Sequence, residues 1–558
     1  MLSRAAAIEA IAGQRFEVVV IGGGITGAGV ALDAASRGYS VALVERGDYA
    51  VGTSSRSSKM VHGGLRYLQN LDLGLVREAL LERQLMVQLA PHLVYPRPFV
   101  VPSFSEERLD RKLGIGLNMY DVMATTRVGR GRREMRSSKE EDRDFYWSPD
   151  RHRTIDREEL LEMVPALEGR DPNDAYLFYD CQTDDVRLVL TVLGEAERFG
   201  AVMLNGAEVV EVLSSDGRAS GVEVVEAESG ERFEVEADNV VNATGVFADG
   251  IRPGEIVEEE DVPRIKPSRG THLLVDRERL STGSAACIVP AGEGRAIFAL
   301  PWYGRTLVGT TDNDYEGDIE HPAPSGEDID YLLKAVNEFF GIGLGRSDLV
   351  GAYAGVRPLL STGDPKKSVD ISRRAELYET SSGLLTITGG KLTTWRRMAK
   401  LTLDRLVERE AREAPCHTAE IPLGMEARPE DLDAPDAVGE EVLSQLAFRY
   451  GHAARTVLDI AAADPKLARP IVEGRPDLLA EAVVAARHEQ ARTVADVLLR
   501  RTRLGLLAAP QLRDADSVRA VAAAIGEELG WSRRRAKVEA EAWPAAAAEA
   551  GIDPAEAG

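Results

Sequence analysis

Over the first 250 residues, short apolar runs alternate with amphipathic segments, and that alternation predicts the first part of the fold. Val18-Val19-Val20-Ile21 is apolar and β-branched at every position. Such a run suits a strand buried on both faces of a parallel sheet. Ala28, Val30, Ala31, Ala34 and Ala35 then recur at helical spacing, and Gly38 closes the helix. Residues 39–44 form a second apolar run that ends at Glu45. Together these segments make a βαβ unit. The period changes to two over residues 209–213, 221–225 and 232–237, with turn-forming segments at 214–217 and 228–230. This is a β-meander feeding a further strand at 239–241. Strand patterns return over 268–312. Ser325 then caps a helix whose Ile329, Leu332, Val336 and Phe340 point inward. Helical patterns dominate after about residue 395, and Pro415, Pro422, Pro429 and Pro435 mark a linker. The last residues are rich in alanine and glutamate and read as frayed.

Composition narrows the function classes. The 558 residues carry a formal net charge of −24. An acidic balance argues against sequence-blind nucleic-acid binding, which needs excess cations to displace counterions. Cys181, Cys287 and Cys416 lie far apart without CxxC spacing, so neither a disulfide framework nor a cysteine metal site is expected. No stretch reaches the roughly 18 apolar residues of a membrane span, and no apolar signal-peptide segment opens the chain. The expectation is a cytoplasmic protein.

Chemistry begins at Gly22-Gly23-Gly24-Ile25-Thr26-Gly27, between the first strand and its helix. Glycines at the first, third and sixth positions allow a tight turn, a close approach to pyrophosphate and close helix–strand packing. The helix N-terminus offers N–H groups to the phosphates. Glu45 is placed to accept from adenosine ribose hydroxyls, which disfavours NADP. Gly341-Ile342-Gly343 follows a helix and lacks the dinucleotide spacing, as does Gly114-x-Gly116. One nucleotide site plus an inserted meander favours FAD reduced directly by a substrate. Thr53-Ser54-Ser55-Arg56-Ser57-Ser58-Lys59, followed by Met60-Val61-His62-Gly63-Gly64-Leu65-Arg66-Tyr67, supplies hydroxyl and N–H donors. Arg357, Arg373 and Lys391 stand beside glycines or small residues in apolar surroundings. Several cations on a core-facing side require an anion, and guanidinium forks match phosphate. A phosphorylated small substrate follows.

The segments GGGITGAG, SSRSSKMVHGGLRYL, NATG, GTTDND, GVRPL and GGKLTTWRRMA resemble those of FAD-dependent glycerol-3-phosphate dehydrogenases, within the wider glycine-oxidase and D-amino-acid-oxidase-like flavoproteins. The resemblance runs in order through about residues 14–400, and residues 491–503 resemble the family's C-terminal helical domain. It implies an α/β fold: a Rossmann-like FAD-binding domain with a β-meander, an antiparallel-sheet substrate domain and a C-terminal helical domain. The expected boundaries are 12–75, 155–262 and 351–405 for the FAD unit and 76–154 and 263–350 for the substrate unit. Residues 415–545 would form the helical domain and 546–558 a frayed tail.

The implied reaction is oxidation of sn-glycerol 3-phosphate to dihydroxyacetone phosphate by hydride transfer from C2 to flavin N5. Quinone is the expected acceptor. Oxygen, as in a glycerol-3-phosphate oxidase, and an amino-acid or amine oxidase activity are the alternatives. The substrate pocket maps onto Arg66, Tyr67, His272, Arg357, Arg373 and Lys391. The cofactor maps onto Gly22 to Gly27, Glu45, Arg46, Thr53, Ser54, Ser58, Lys59, His62, Gly63, Gly64, Leu65, Val209, Ala243, Thr244, Gly245, Gly390, Lys391, Leu392 and Thr393. His272 is favoured as the base, with His62 either sharing that role or supporting the flavin. Arg66, Arg357 and Lys391 are placed to stabilise a developing alkoxide and hold the phosphate. No metal is expected, and a homodimer is. Arg127, Arg130, Arg132, Arg133 and Arg136 form a basic cluster suited to peripheral contact with an anionic membrane. Arg500-Arg501-Thr502-Arg503 reads as a structural helix face.

Overall fold

The computed structural model describes residues 3–68, 72–104, 109–125, 151–251, 264–292, 294–361, 375–513 and 515–552, without the side chains of Arg66, Ser361 and Ala515. The β-branched run becomes the strand Phe16–Ile21 at the centre of an eight-stranded sheet. Val41–Val44 pairs in parallel on one side and Arg232–Asn242 on the other. Val202–Leu204 extends the first flank and Leu385–Gly389 the second, both parallel. The chain therefore leaves the central strand toward one flank and later returns to the other. That reversal opens a crevice beyond the carboxyl ends of the strands, where open α/β sheets bind ligands. Helices Ile25–Ser36, Asp185–Arg198 and Trp395–Arg409 pack together over one face, with Trp395 fully buried among them.

The meander consists of Ala207–Ser215, Arg218–Glu226 and the first part of Arg232–Asn242. The expected separate strand at 239–241 is the far end of that last strand. It leaves the meander and enters the parallel sheet without a break.

A ten-stranded sheet, mostly antiparallel, forms the second layer system. Its longest pairing joins Arg264–Asp276 to Leu349–Ser361. One pair, Ala286–Pro290 with Tyr95–Phe104, is parallel. The helix Gly326–Phe340 covers this sheet; Ser325 accepts from the Asp328 N–H, and Ile329, Leu332, Val336 and Phe340 are buried as the spacing requires. Two strands join a different sheet from the one their expected unit suggests. Pro172–Gln182 and all but the first two residues of Leu349–Ser361 fall within the expected FAD unit, yet both are strands of the second sheet. Alternation identifies a strand but not its distant partner.

Helices from Glu440 to Glu549 build the C-terminal part around Val483, Leu498, Val521 and Trp543. The expected fray from residue 546 is corrected as far as the described chain goes. Helix Arg533–Glu549 continues through it. Ile552 is 1% exposed, and its carbonyl accepts from the Ala352 N–H at 3.3 Å. Alanine content had hidden a single anchoring isoleucine. The 500–503 arginines are buried, and they pair with Asp48, Asp184 and Asp185 rather than facing solvent. No described helix is long and apolar enough to cross a membrane.

Candidate active site

A cavity of about 1880 Å³ starts at the carboxyl ends of the parallel strands and reaches the second sheet, where Phe99, Phe178 and Phe298 line it. At its first end the glycine turn passes under helix Ile25–Ser36. A Cβ on Gly27 would lie 1.9 Å from the Gly22 carbonyl, so only glycine lets the helix close on the strand. Glu45 accepts from the Gly23 N–H at 2.7 Å and from the Gly47 N–H at 2.8 Å. Its remaining lone pairs are available to a ligand in the cavity it lines. Burial raises the Glu45 carboxyl, and the two N–H bonds oppose that rise. Ser54 Oγ reaches across to accept the Ile25 N–H at 3.0 Å, joining the hydroxyl-rich loop to the helix N-terminus. A backbone turn, a carboxylate lining the cavity and a volume well above that of ordinary small-ligand pockets fit a dinucleotide.

At the other end a second set of polar groups converges. His272, on Arg264–Asp276, is 3% exposed and lines the cavity. Its Nε2 lies 2.8 Å from Ser58 Oγ, and its ring stacks on Tyr353 at 4.8 Å. Gly309 leaves room for the ring, since a Cβ there would lie 2.4 Å from it. Arg357 donates to Asp312 at 3.1 Å and to Thr310 and the Thr311 carbonyl at 3.2 Å. Lys391 lies over the face of Tyr67. The His62 N–H donates to Thr393 Oγ1 at 3.2 Å, which ties the 62–65 segment to the 390–393 turn.

Comparison with known proteins agrees with this arrangement. A family model described as FAD dependent oxidoreductase matches residues 17–396. One described as the C-terminal domain of alpha-glycerophosphate oxidase matches residues 385–536. Glycerol-3-phosphate dehydrogenase 2 of Mycobacterium tuberculosis is 38% identical over 538 residues, 95% of this chain and 87% of its own. The chain belongs to the FAD-dependent glycerol-3-phosphate dehydrogenase family. The mitochondrial glycerol-3-phosphate dehydrogenase of Arabidopsis thaliana is 34% identical, covering 96% of this chain and 86% of its own. The crystal structure of the Bacillus halodurans enzyme complexed with FAD superposes with a TM-score of 0.75 at 28% identity, over 99% of this chain and 98% of that one. FAD is the cofactor of this member of the glycerol-3-phosphate dehydrogenase family.

Most residues read from the motifs line the cavity. Gly22, Gly24, Ile25, Thr26, Glu45 and Arg46 do so at the nucleotide end, with Val209, Ala243, Thr244 and Gly245 beside them. Thr53, Ser54, Ser58, His62, Gly64, Leu65, Gly390, Lys391, Leu392 and Thr393 line it farther along, as do Tyr67, His272 and Arg357. Arg373, the side chain of Arg66 and the 127–136 cluster lie outside the described residues.

Four residues expected at the cofactor stand back from the cavity wall. Gly23, Gly27, Lys59 and Gly63 do not line the cavity. Gly23 and Gly27 shape the turn. The Gly63 N–H donates to Tyr120 and to Asp180 at 3.2 Å. Lys59 turns into the interior and pairs with Asp185 at 2.7 Å. A motif gives neighbourhood in sequence, whereas the chain's local twist decides which side chains face inward.

Asp180 and Asp312 escaped the sequence reading. Asp180 lines the cavity and is held by Arg83 at 2.6 Å and by Tyr120 at 2.8 Å. Its signal was an acid inside the apolar strand Pro172–Gln182. Asp312 orients Arg357, and nothing but its place in GTTDND marked it. Burial lowers His272 well below the ordinary histidine value, and the charges of Lys59 and Arg357 lower it further; only the Gly270 backbone favours the charged ring. Burial and the two cations therefore hold the imidazole in its neutral form near pH 7.

Proposed function

We propose that this chain oxidises sn-glycerol 3-phosphate to dihydroxyacetone phosphate and passes the electrons to a quinone. The observation that carries the reading is the convergence of a neutral His272 with Arg357 and Lys391 in the cavity that also holds the nucleotide cradle. FAD, held by the Gly22–Gly27 turn and Glu45, would supply the two-electron acceptor for this oxidation. Arg357 and Lys391 bind the phosphate dianion and hold the developing alkoxide. The C2 hydroxyl gives its proton to Ser58 Oγ as the O–H bond breaks, and the Ser58 hydroxyl passes its own to His272 Nε2, 2.8 Å away. Ser58 fixes the ring for that transfer, and Asp312 aims the Arg357 fork.

The quinone part draws on helix Arg111–Thr125. Ile115, Met119 and Val122 are 63%, 38% and 59% exposed. Ile115 and Met119 also line the cavity, together with Leu113. An apolar stripe at the cavity's edge suits a lipophilic acceptor and a membrane surface, whereas oxygen needs neither. The test follows substrate oxidation with a short-chain quinone or with air. Quinone reduction that outruns oxygen uptake, and that falls when Ile115 and Val122 are changed to serine, supports the reading. Equal or faster turnover with oxygen, insensitive to those changes, overturns its quinone part.

A further inference from the structure

Lys59 stands close to the site yet does not enter it. Its side chain is fully buried, and its ammonium donates to Asp185 at 2.7 Å and to the Ser55 carbonyl at 2.6 Å. It lies 4.8 Å from the centre of the Tyr353 ring and 5.5 Å from that of Trp302. Tyr353 is the residue on which His272 stacks, with the rings inclined by only 10°. The Tyr353 hydroxyl donates to the Ser57 carbonyl at 2.7 Å, and the Ser57 hydroxyl donates to Asp185 at 2.7 Å. Ser58, next in sequence, holds His272 Nε2. Arg503, from the C-terminal helical part, grips Asp185 from its other side and bonds Asp184 at 3.2 Å. Asp185 thus ties together a buried cation, the loop that orients His272 and an arginine distant in sequence.

A buried ion pair is weak evidence for stability, because desolvation offsets most of its attraction and an apolar pair of the same shape does as well. The position of this one is more informative. We propose that Lys59 is a positioning residue for the oxidation: through Tyr353 and Ser57–Ser58 it fixes the His272 ring, and its charge disfavours a second positive charge there. The inference rests on the reading of His272 as the base.

The charges acting on that ring come from two directions. Lys59 acts from the loop and Arg357 from the strand Leu349–Ser361. Asp312 is bonded to Arg357, while Asp185 and Asp184 face Lys59 with Arg503 behind them. After His272 takes the proton, the same two cations favour its release before the next turnover.

The test uses the FAD-loaded enzyme with Lys59→Met, Lys59→Arg and the double variant Lys59→Met/Asp185→Asn. The double variant removes both charges, so it remains informative if the single change strands Asp185 and the protein fails to fold. Two readouts are needed. One is the titration of His272 itself, followed by NMR of ring-labelled histidine and assigned with His272→Gln. The other is the pH profile of kcat/KM for sn-glycerol 3-phosphate.

The expected result with Met is a His272 titration moved up toward the ordinary histidine range. The acid limb of the profile moves the same way, and kcat falls about tenfold; Arg at position 59 restores most of both. An unmoved His272 titration in the methionine variants overturns the inference and leaves the base reading intact. A moved titration in a protein whose His272→Gln variant still turns over normally overturns both.

Discussion

The ammonium of Lys391 sits 3.7 Å from the centre of the Tyr67 ring, on a cavity that also contains Arg357 and His272. The aromatic face holds the cation in place beside the cavity. Lys391→Met should lower kcat/KM about a hundredfold, the scale of one lost oxyanion donor. Tyr67→Phe keeps the ring and should change little. Tyr67→Leu should cost roughly tenfold through the lost cation–π contact. Steady-state kinetics on the three variants check this order; a Phe variant as impaired as Leu would mean that the hydroxyl matters and not the ring.

Glu45 tests the nucleotide end separately. Both of its oxygens accept backbone N–H groups, from Gly23 and Gly47. In Glu45→Gln an amide N–H must face one of those donors, which leaves a buried group unsatisfied. FAD should dissociate about tenfold more readily, with little change in turnover of the fully loaded enzyme. Flavin fluorescence released on dilution measures this directly.

The junction with the C-terminal helices should respond to acid. Arg501 grips both oxygens of Asp48 at 2.7 Å, and Arg500 holds the same carboxylate. Burial alone would raise Asp48, but Arg501 and Arg500 outweigh it and hold the carboxyl well below its ordinary 3.8. With the folded value depressed, the contribution to stability is fully present above 3.8 and is lost as the pH falls through the lower folded value. Arg501→Met leaves Asp48 buried beside Arg500 alone and should cost about 3 to 5 kcal/mol at neutral pH. Denaturant unfolding measured from neutral to strongly acid pH should show this deficit shrinking with acidification.

The end of the described chain supports the ten-stranded sheet. Ile552 packs with Leu274, Leu506 and Tyr353 in one buried cluster. Ile552→Ala should cost about 2 to 4 kcal/mol. A chain stopped after residue 545 should lose at least as much, and thermal melts of both variants decide it.

Local features were the legible ones. The run Val18 to Ile21, the helix over Ala28 to Ala35, the cap at Ser325 and the glycine spacing at 22–27 each arise from contacts within a few residues, so the pattern displays them directly. The cation set at 357 and 391 was legible because apolar neighbours made those charges conspicuous. What stayed hidden depends on long-range pairing. Nothing near Lys59 signals that its partner is Asp185, or that Arg503 completes the contact. Leu349–Ser361 reads as a strand, but its pairing with Arg264–Asp276 brings Tyr353 beside His272 only in three dimensions. The Arg500-Arg501-Thr502-Arg503 run read as a structural face, and its targets at Asp48, Asp184 and Asp185 lie more than 300 residues away.

The central claim is that a phosphorylated secondary alcohol delivers its electrons directly to the bound flavin. Rapid anaerobic mixing of the FAD-loaded enzyme with sn-glycerol 3-phosphate tests it without any acceptor present. The visible flavin absorbance should bleach in a single turnover, and glycine or D-alanine should leave it unchanged. Persistence of the oxidised spectrum with sn-glycerol 3-phosphate, or bleaching by an amino acid instead, would contradict it.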